Sequence, residues 1–491
     1  AKALDLIDSK VAKPSEILIL AYSNAAAREL RERVVFRMEA CGLDSEEIPE
    51  ISTFHAQGRK ILKECKIPTY MSDFSDDPLK LQIWVTGWLK KYISSSSKRL
   101  KRFIELSYQP VNPFSFESKK EYDSYLRDND YRTLQGEKVK GYQELLISNW
   151  LFLNSVNYEY ETPFISKRRI EIGFDYRPDF HFTDTNIYLE HFGTDRKGNT
   201  RADIDKEAYN EGIKSKRALH KECGTKLIET YHYDWVEDNL ENRLSTLMSN
   251  IGIKTTPKSP DEVFEILNNS GYIDESAKRY LKCLEAIRVE RLEDDVVLQR
   301  LTDNEISHAK EYTELLGDLH TAYKQELDAQ GRIDFDDMII RSTDGVKSKK
   351  FIPNWSYILV DEFQDISMAR MEFLSALVSN GPSPILTVVG DDWQSIYRFS
   401  GGKLELTTRF EELVGVHTLT KLEKTFRYNN SIADVAGTFV MQNPEQYKKE
   451  VVTHTFVKES QVYLLDSGTK QNSSLEDRIL QVVSKIKEND P

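Results

Sequence analysis

One stretch decides the fold: Ile358-Leu359-Val360-Asp361-Glu362-Phe363-Gln364-Asp365. Its three apolar residues favour a buried strand of a parallel sheet, and the carboxylates Asp361 and Glu362 follow directly. In open α/β sheets the chemistry lies at the carboxyl ends of the strands. Adjacent carboxylates there suit a nucleotide site, in which one holds Mg²⁺ and the next orients or deprotonates water. The alternative at this point is a strand that ends in a solvated acidic turn.

The bulk composition is typical of a globular protein of about three domains. Of 491 residues, 39% are hydrophobic and 30% are charged. No apolar run is long enough to span a bilayer and no signal peptide is visible, so we expect a cytoplasmic protein without a membrane partner. The four cysteines form no CxxC pair, which argues for reduced thiols and against a zinc site. The net charge of −13 does not favour nucleic acid, although a local basic groove is compatible with it.

Two further stretches of the chain predict α/β units. The apolar run 17–22 precedes Ser23-Asn24, which offers a helix N-cap before an Ala-, Arg- and Glu-rich helix. The segment 51–56 predicts a short strand that enters a helix ending near Lys63. Both units place polar residues at the carboxyl end of a strand, as the opening stretch does.

A third apolar run, 385–389, ends in the polar and aromatic segment 390–401. The glycine that begins this segment allows a tight backbone turn. Gln394 can donate and accept hydrogen bonds, so it could sense a terminal phosphate. Tyr397 and Phe399 flank an arginine, a pattern that suits base stacking with a phosphate contact. The alternative is that these aromatic residues are core beneath a loop.

In this order, the segments resemble the UvrD/Rep group of superfamily 1 DNA helicases, most strongly its helicase IV branch. The segments, in the family's nomenclature, are motif Ia at 21–27, motif Ib at 53–55, motif II at 361–365, motif III at 389–399 and motif IV at 425–428. Motif III is the most specific of them. The resemblance implies a P-loop NTPase (RecA-like) α/β domain with a parallel sheet and a large insertion.

The resemblance also implies a role for each site residue. Asp361 would coordinate Mg²⁺, and Glu362 would activate the hydrolytic water. Gln394 and Arg427 would contact the γ-phosphate of ATP, and Phe426 would stack on adenine, where the family often has tyrosine. An arginine between two aromatic residues suits this task, because it can deliver charge to a phosphate while a ring stacks on a purine.

The same resemblance implies an ATP-dependent helicase that moves 3′ to 5′ and binds single-stranded and duplex DNA. The residues that would line the DNA path are Tyr22, Asn24, Thr53, His55, Tyr397 and Phe399. It implies nothing about oligomeric state. The third hypothesis, beside a helicase and the nuclease described below, is a non-catalytic DNA-binding scaffold.

The sequence departs from the family in one serious respect. It contains no G-x-x-x-x-G-K-[ST] phosphate loop, since Gly401-Gly402-Lys403-Leu404 lacks the hydroxyl that would meet Mg²⁺. In the family that loop precedes a helix like the one predicted over residues 1–11, and further motifs follow motif IV. We therefore expect a fragment that does not hydrolyse ATP by itself.

Residues 141–235 predict a unit of their own, in the order helix, three strands, helix, strand. This unit resembles a PD-(D/E)XK endonuclease core, the restriction-endonuclease-like α/β fold. Glu144 on the first helix, with Asp179 and Glu190 on successive strands, would be the oxygen ligands of a nuclease metal ion. The alternative is an inactive fold retained for DNA contact or for structure.

The usual lysine of that nuclease pattern is missing, because Phe192 stands in its place. Lys216 on the next helix or Lys226 on the next strand could supply the charge. His191 and His220 are further polar candidates in this unit.

We expect six segments along the chain. They are residues 1–68, the first part of motor domain 1A; 69–140, a helical insertion; 141–235, the nuclease-like unit; 236–319, a helical segment of insertion 1B; 320–418, the second part of 1A; and 419–491, the start of domain 2A.

Overall fold

The computed structural model describes residues 1–108, 110–129, 131–164, 176–395, 402–444, 446–459, 462 and 475–489. The chain forms two compact units. Unit 1 comprises Ala1–Met71, Arg288–Arg291 and Gln330–Pro491, and unit 2 comprises Ser72–Ile287 and Leu292–Ala329. Unit 2 is thus inserted in the sequence of unit 1. Within the described ranges, no helix combines the length and the apolar character needed to cross a membrane.

The strands are numbered in chain order. They are β1 (Ile17–Ala21), β2 (Glu50–Thr53), β3 (Tyr158–Tyr160), β4 (Phe180–Phe182), β5 (Ile187–Phe192), β6 (Lys226–Tyr231), β7 (Tyr357–Val360), β8 (Ile385–Val388), β9 (Lys424–Asn429) and β10 (Val452–Thr455).

The α-helices are numbered in the same way. They are α1 (Lys2–Asp8), α2 (Asn24–Ala40), α3 (Phe54–Glu64), α4 (Asp73–Asp76), α5 (Pro78–Ser94), α6 (Ser97–Glu105), α7 (Lys119–Asp128), α8 (Tyr142–Leu153), α9 (Lys206–Glu222), α10 (His232–Val236), α11 (Leu240–Ile251), α12 (Pro260–Asn269), α13 (Tyr272–Glu290), α14 (Asp294–Asp303), α15 (Ala309–Gln330), α16 (Phe335–Lys347), α17 (Met368–Asn380), α18 (Glu405–Thr408), α19 (Phe410–Leu413), α20 (Asn430–Val440) and α21 (Leu475–Asn489).

Unit 1 contains a parallel sheet in the order β2-β1-β7-β8. The register pairs Leu20 of β1 with Val360 of β7, which in turn pairs with Val388 of β8. The carboxyl ends of β1, β7 and β8 therefore lie side by side. This arrangement confirms the predicted mixed α/β fold with a parallel sheet and brings the predicted polar segments to one edge.

The apolar run of β1 explains why this strand is central. All five of its residues are buried. Leu18 and Leu20 pack in one hydrophobic cluster with β7 and α17, whereas Ile17 and Ile19 pack in a second cluster with α1 and α2. Alternate residues of a strand point to opposite faces, so the sheet is covered by apolar side chains on both. Each such fully buried side chain stabilises the fold by about 1.5–3 kcal/mol.

A buried ion cluster lies elsewhere in unit 1. The guanidinium of Arg288, which is 3% exposed, donates to Asp334 at 2.7 Å and to Asp337 at 2.9 Å. Asp334 also caps α16, because its carboxylate accepts from the backbone N–H of Asp337. The arginine thus fixes the start of α16.

Unit 2 contains a four-stranded sheet in the order β3-β4-β5-β6. Its first three strands are antiparallel, and β6 runs parallel to β5 because α9 connects them. Helix α8 precedes the sheet and packs Ile147 and Leu151 into the same core as Phe180 and Leu189. Over the described residues of this unit, the element order is the predicted one: helix, three strands, helix, strand.

A separate core of unit 2 contains residues of α5, α6, α12, α13 and α15. Leu89, Phe103, Ala277 and Leu315 are among its fully buried members. Helices α4 to α7 lie within residues 69–140 and α11 to α14 within residues 236–319, where helical structure was predicted.

The sequence predicts helices over residues 1–11 and 25–35 and a strand over residues 176–182, and the structure differs at one bound of each. Helix α1 ends at Asp8, because Lys10 adopts a left-handed conformation with φ 59°. Helix α2 continues to Ala40. Strand β4 begins at Phe180, and Pro178 before it has no N–H with which to join the ladder.

Candidate functional site

The end of β7 places two carboxylates at the edge of the sheet. The backbone N–H of Asp361 donates to Leu20 of β1 at 3.0 Å, and Glu362 follows with φ 52°. That left-handed backbone is uncommon for a glutamate and marks a position where strain is retained. Burial and the charge of Glu362 both raise the pKa of Asp361. A bound cation would offset both effects.

Gln364 joins the loops that follow β7 and β8. This side chain is 1% exposed; its Nε2 donates to Glu362 Oε2 at 2.6 Å, and its Oε1 accepts from the backbone N–H of Asp391 at 3.0 Å. We call this arrangement the Gln364 clamp. The role of Gln364 is not visible in the sequence, because its second partner, Asp391, lies in a different motif.

Gly390 is required by the clamp rather than by a turn. A Cβ at this position would lie 2.8 Å from Gln364 Oε1 and 3.2 Å from the backbone N of Phe363. Gly390 does not adopt a left-handed backbone, so the close approach of Gln364 and Phe363 explains the glycine without a positive φ. The two loops approach too closely for any side chain.

The loop after β8 holds Gln394 close to Asp391. Gln394 is exposed, and its Nε2 donates to Asp391 Oδ2 at 2.7 Å. Lys449 pairs with the other oxygen of Asp391 at 2.5 Å and also with Asp392. Burial opposes ionisation of Asp391, but the hydrogen bonds from Lys449 and Gln394 leave its pKa below the ordinary value. The side chain of Gln394 is thus held at Asp391, in the loop that follows β8.

The segment around Tyr447 fixes the same loop. Trp393 Nε1 donates to the carbonyl of Tyr447 at 3.1 Å, and the backbone N–H of Tyr447 donates to Asp392 Oδ2 at 2.8 Å. Asp392 is 2% exposed, so its second oxygen is satisfied by Lys449 rather than by solvent. Sequence reasoning missed Lys449, which follows no motif.

The motif Ia and Ib residues lie at the ends of β1 and β2. Tyr22 follows β1, and the guanidinium of Arg370 lies over its ring at 4.7 Å. Asn24 begins α2 and is exposed, whereas buried Thr53 caps α3 by accepting from the N–H of Ala56 at 3.2 Å. The position of Thr53 therefore has a structural explanation.

His55 is the titratable member of this group. Its ring contacts Phe335, an exposed aromatic residue, edge to face at 5.7 Å. Burial, and secondly the charge of Arg370, lower the pKa of His55 to about 4. The ring is therefore neutral near pH 7, and with Phe335 it offers a surface suited to stacking.

Motif IV lies on β9, which pairs in parallel with β10. Phe426 is 69% exposed and contacts the ring of His454 at 4.8 Å, and Arg427 is also exposed. Among the described residues, no hydrogen bond or ion pair joins Arg427 to Asp361 or Glu362. The predicted DNA-contacting residues Tyr397 and Phe399 lie outside the described residues.

The predicted nuclease carboxylates are neighbours in unit 2. Burial, then the charges of Glu190 and Glu144, raise the pKa of Asp179 well above its ordinary value. Asp179 accepts from the backbone N–H of His191 at 2.7 Å. Glu144 accepts from the hydroxyl of Tyr160, and burial raises its pKa.

A lysine completes this cluster. Lys216 of α9 pairs with Glu190 at 2.6 Å, and its Nζ lies 5.6 Å from the centre of the Phe192 ring. Lys226 is exposed at the start of β6, opposite Ile187. In the part of the chain that is described, no group of three or more His, Cys, Asp and Glu side chains is arranged to hold a metal ion.

The two histidines predicted as polar candidates, His191 and His220, are held neutral. His191 contacts Gln143 at 2.7 Å and Thr230 at 3.0 Å, and burial, with a minor effect of a second histidine, lowers its pKa to about 3. His220 contacts the hydroxyl of Tyr176 at 3.1 Å, and burial followed by the charge of Lys216 lowers its pKa to about 4.

Three curated DNA helicases are similar in sequence to part of this chain. DNA helicase IV of Escherichia coli K12 is 42% identical over 154 residues, which cover 31% of this chain and 22% of that protein. The ATP-dependent DNA helicase PcrA of Leuconostoc citreum is 30% identical over 29% of this chain and 19% of its own length. The ATP-dependent DNA helicase Rep of E. coli K12 is 31% identical, over 26% and 20%.

Each matched segment therefore spans only about a fifth of the curated relative. A family model has a much longer match. The model described as the UvrD/REP helicase N-terminal domain matches residues 1–414. On this match, which includes the β7 carboxylates and the Gln364 clamp, the chain belongs to the UvrD/REP helicase family.

Proposed function

We propose that this chain is part of an ATP-dependent superfamily 1 DNA helicase that translocates 3′ to 5′ along single-stranded DNA and opens duplex DNA. One observation carries the proposal: the Gln364 clamp ties Glu362 to the loop that presents Gln394. Glu362, which we propose activates water, and the loop of Gln394, which we propose senses a phosphate, are thereby connected through the buried side chain of Gln364. Such an arrangement suits phosphoryl transfer, where positioning supplies most of the catalysis.

The roles of the nucleotide-site residues follow from their surroundings. Asp361 would hold Mg²⁺, since a cation offsets the burial and like charge that raise its pKa. Mg²⁺ bound with ATP would neutralise phosphate charge during hydrolysis. Glu362 would orient the attacking water, and Gln394 with Arg427 would contact the γ-phosphate. Phe426, which is exposed, would stack on adenine.

On the DNA side, Tyr22 and His55 would contact bases or phosphates, with Asn24 and Thr53 beside them. Tyr397 and Phe399 are proposed from sequence alone. A neutral imidazole and aromatic rings suit a single strand, whose bases offer flat faces without sequence preference. We propose DNA as the partner and the cytoplasm as the location.

We propose the domain roles from the same motifs. Residues 1–68 and 320–418 would form motor domain 1A, and 419–491 would begin domain 2A, with ATP bound between the two. The sequence contains no phosphate-loop pattern, so we expect no ATP turnover from this chain alone.

The test replaces Glu362 with Gln in the full-length protein. We expect ATP turnover to fall by about 10²–10⁴-fold, which is typical for loss of a general base, with nucleotide affinity retained. Steady-state turnover and binding of a fluorescent ATP analogue measure the two quantities. Glu411→Gln, an exposed glutamate of unit 1, is the matched control. Unchanged turnover in Glu362→Gln excludes this assignment of the base.

A second candidate, a metal-dependent DNA endonuclease in unit 2, is favoured by the ion pair between Lys216 and Glu190. The positive charge of Lys216 lies beside the carboxylate of Glu190, which in turn affects Asp179, and the chemistry requires such a charge. Helix α9 rather than strand β6 supplies it. For Glu190 to bind a metal ion, Lys216 would have to release it. Asp179→Ala or Glu190→Ala should abolish nicking of supercoiled DNA and leave ATP turnover intact. Wild-type protein that does not cleave DNA with Mg²⁺ excludes the nuclease and leaves an inactive domain or a scaffold.

A further inference from the structure

Arg370 lies between the motif II turn and the residues proposed to contact DNA. It is the third residue of α17, which follows the 3₁₀ turn Phe363–Asp365. Its guanidinium lies 4.7 Å from the centre of the Tyr22 ring. Its charge also acts on His55, whose pKa it lowers as the second cause after burial. Arg370 thus contacts Tyr22 of motif Ia, acts electrostatically on His55 of motif Ib and lies on the helix that follows motif II.

Hydrogen bonds do not fix the guanidinium in this position. Within the described part of the chain, Arg370 Nη1 is buried without a hydrogen-bond partner, and so is Asp365 Oδ1. The two groups act on each other electrostatically, because the arginine favours the ionised form of Asp365 against burial and the charge of Glu362. Unsatisfied buried groups of opposite charge gain a charge-assisted hydrogen bond if they meet.

The guanidinium lies over the face of the Tyr22 ring, and the carboxylate of Asp365 is a second group with which it would pair if it moved. A positively charged group over an aromatic ring is held weakly, and a base that stacks on the same ring competes with it. Coupling between sites requires an element of this kind, with two arrangements that each ligand biases differently.

We infer that Arg370 is a positioning residue that transmits binding of single-stranded nucleic acid at Tyr22 and His55 to the motif II carboxylates. A base stacked on Tyr22 displaces the guanidinium toward Asp365. Asp365 follows Gln364 directly, and Gln364 holds Glu362 at 2.6 Å. The shift therefore reaches the carboxylate proposed to activate water. The inference rests on the proposed function, since it concerns how DNA stimulates ATP hydrolysis.

The experiment compares Arg370→Gln, Arg370→Lys and Asp365→Asn in the full-length protein. ATP turnover is measured without and with oligo-dT, and oligo-dT affinity is measured by fluorescence anisotropy. We expect turnover without DNA to persist in the two Arg370 variants. In Arg370→Gln and Asp365→Asn, stimulation by DNA should fall by about tenfold, within the range typical of linked sites. Arg370→Lys should recover part of it, because the charge is kept.

The matched control is Arg409→Gln, since Arg409 is an exposed arginine of unit 1 that pairs only locally with Glu412 at 2.8 Å. Full DNA stimulation in Arg370→Gln overturns the inference. So does a parallel loss of turnover without DNA and of melting temperature, since a merely structural arginine behaves in that way. Wild-type protein without DNA-stimulated turnover refutes the proposed function itself, and the inference with it.

Discussion

Replacing Gln364 with Glu would turn the side-chain donor of the clamp, Gln364 Nε2, into an acceptor with little change in size. The introduced carboxylate would still accept from Asp391, but it would stand 2.6 Å from Glu362 Oε2, where an amide now donates. Losing a hydrogen bond to a charged group costs about 1.5–3 kcal/mol. Like charge at a site that is 1% exposed adds to this. We expect unit 1 to lose roughly 3–5 kcal/mol of stability near pH 8.

The sign of the pH dependence is fixed by the introduced group. Its pKa in the folded protein lies above the unfolded value of about 4.3, because burial and Glu362 disfavour the charged form. Between those two values the folded state binds more protons than the unfolded state, so stability falls as pH rises through this window. Near pH 4 the introduced carboxyl is protonated and can donate to Glu362 again. Most of the loss should then disappear.

The assay is a urea titration followed by hydrogen exchange of peptides from β1 and β7, which report on unit 1 alone. The matched control is Gln364→Met, which has similar volume and no charge. It loses both hydrogen bonds and should cost about 1–3 kcal/mol at either pH. Equal losses for the Glu and Met variants at both pH values would refute the reasoning.

Three further outcomes are expected. Gly390→Ala should lower the stability of unit 1 by about 1–3 kcal/mol, measured by urea titration, because the added Cβ would lie 3.2 Å or less from backbone atoms. The control Gly437→Ala should not lower it, because its Cβ would lie 3.6 Å from the nearest neighbouring atom. Arg288→Met should cost about 3–5 kcal/mol, since it removes the buried cation that pairs with Asp334 and Asp337; a loss below 1 kcal/mol contradicts this. The His191 ring should titrate near pH 3 by NMR, so stability falls as pH drops from about 6.5 toward that value, and His191→Gln should remove this part of the acid sensitivity.

The sheet of unit 1 could be predicted because each strand is a short apolar run that ends abruptly in polar residues. Strand β7 differs from its prediction by one residue at its start, and β8 by one at its end. In such segments the local pattern and the tertiary environment agree, since both faces of a buried parallel strand require apolar side chains. The same pattern placed Asp361, Glu362 and Gln394 at one edge.

The connections between motifs could not be predicted from the sequence. Gln364 and its partner Asp391 are 27 residues apart, and nothing in the local pattern of either residue indicates the other. The choice between Lys216 and Lys226 was equally open. Only the pairing of β5 with β6 shows that Lys226 lies at the far end of its strand, opposite Ile187, while α9 carries Lys216 to Glu190.

The insertion of unit 2 between β1 and β7 has a consequence for synthesis of the chain. Ile17 of β1 pairs with Tyr357 of β7. Strand β7 is therefore synthesised long after β1 and its other neighbour, β2. At 5–20 residues per second, β1 waits roughly 20–70 s for that partner. During this interval β1 can pair only with β2, and its other edge, five apolar residues long, stays unpaired. The nascent chain is therefore most exposed to aggregation while unit 2 is being made.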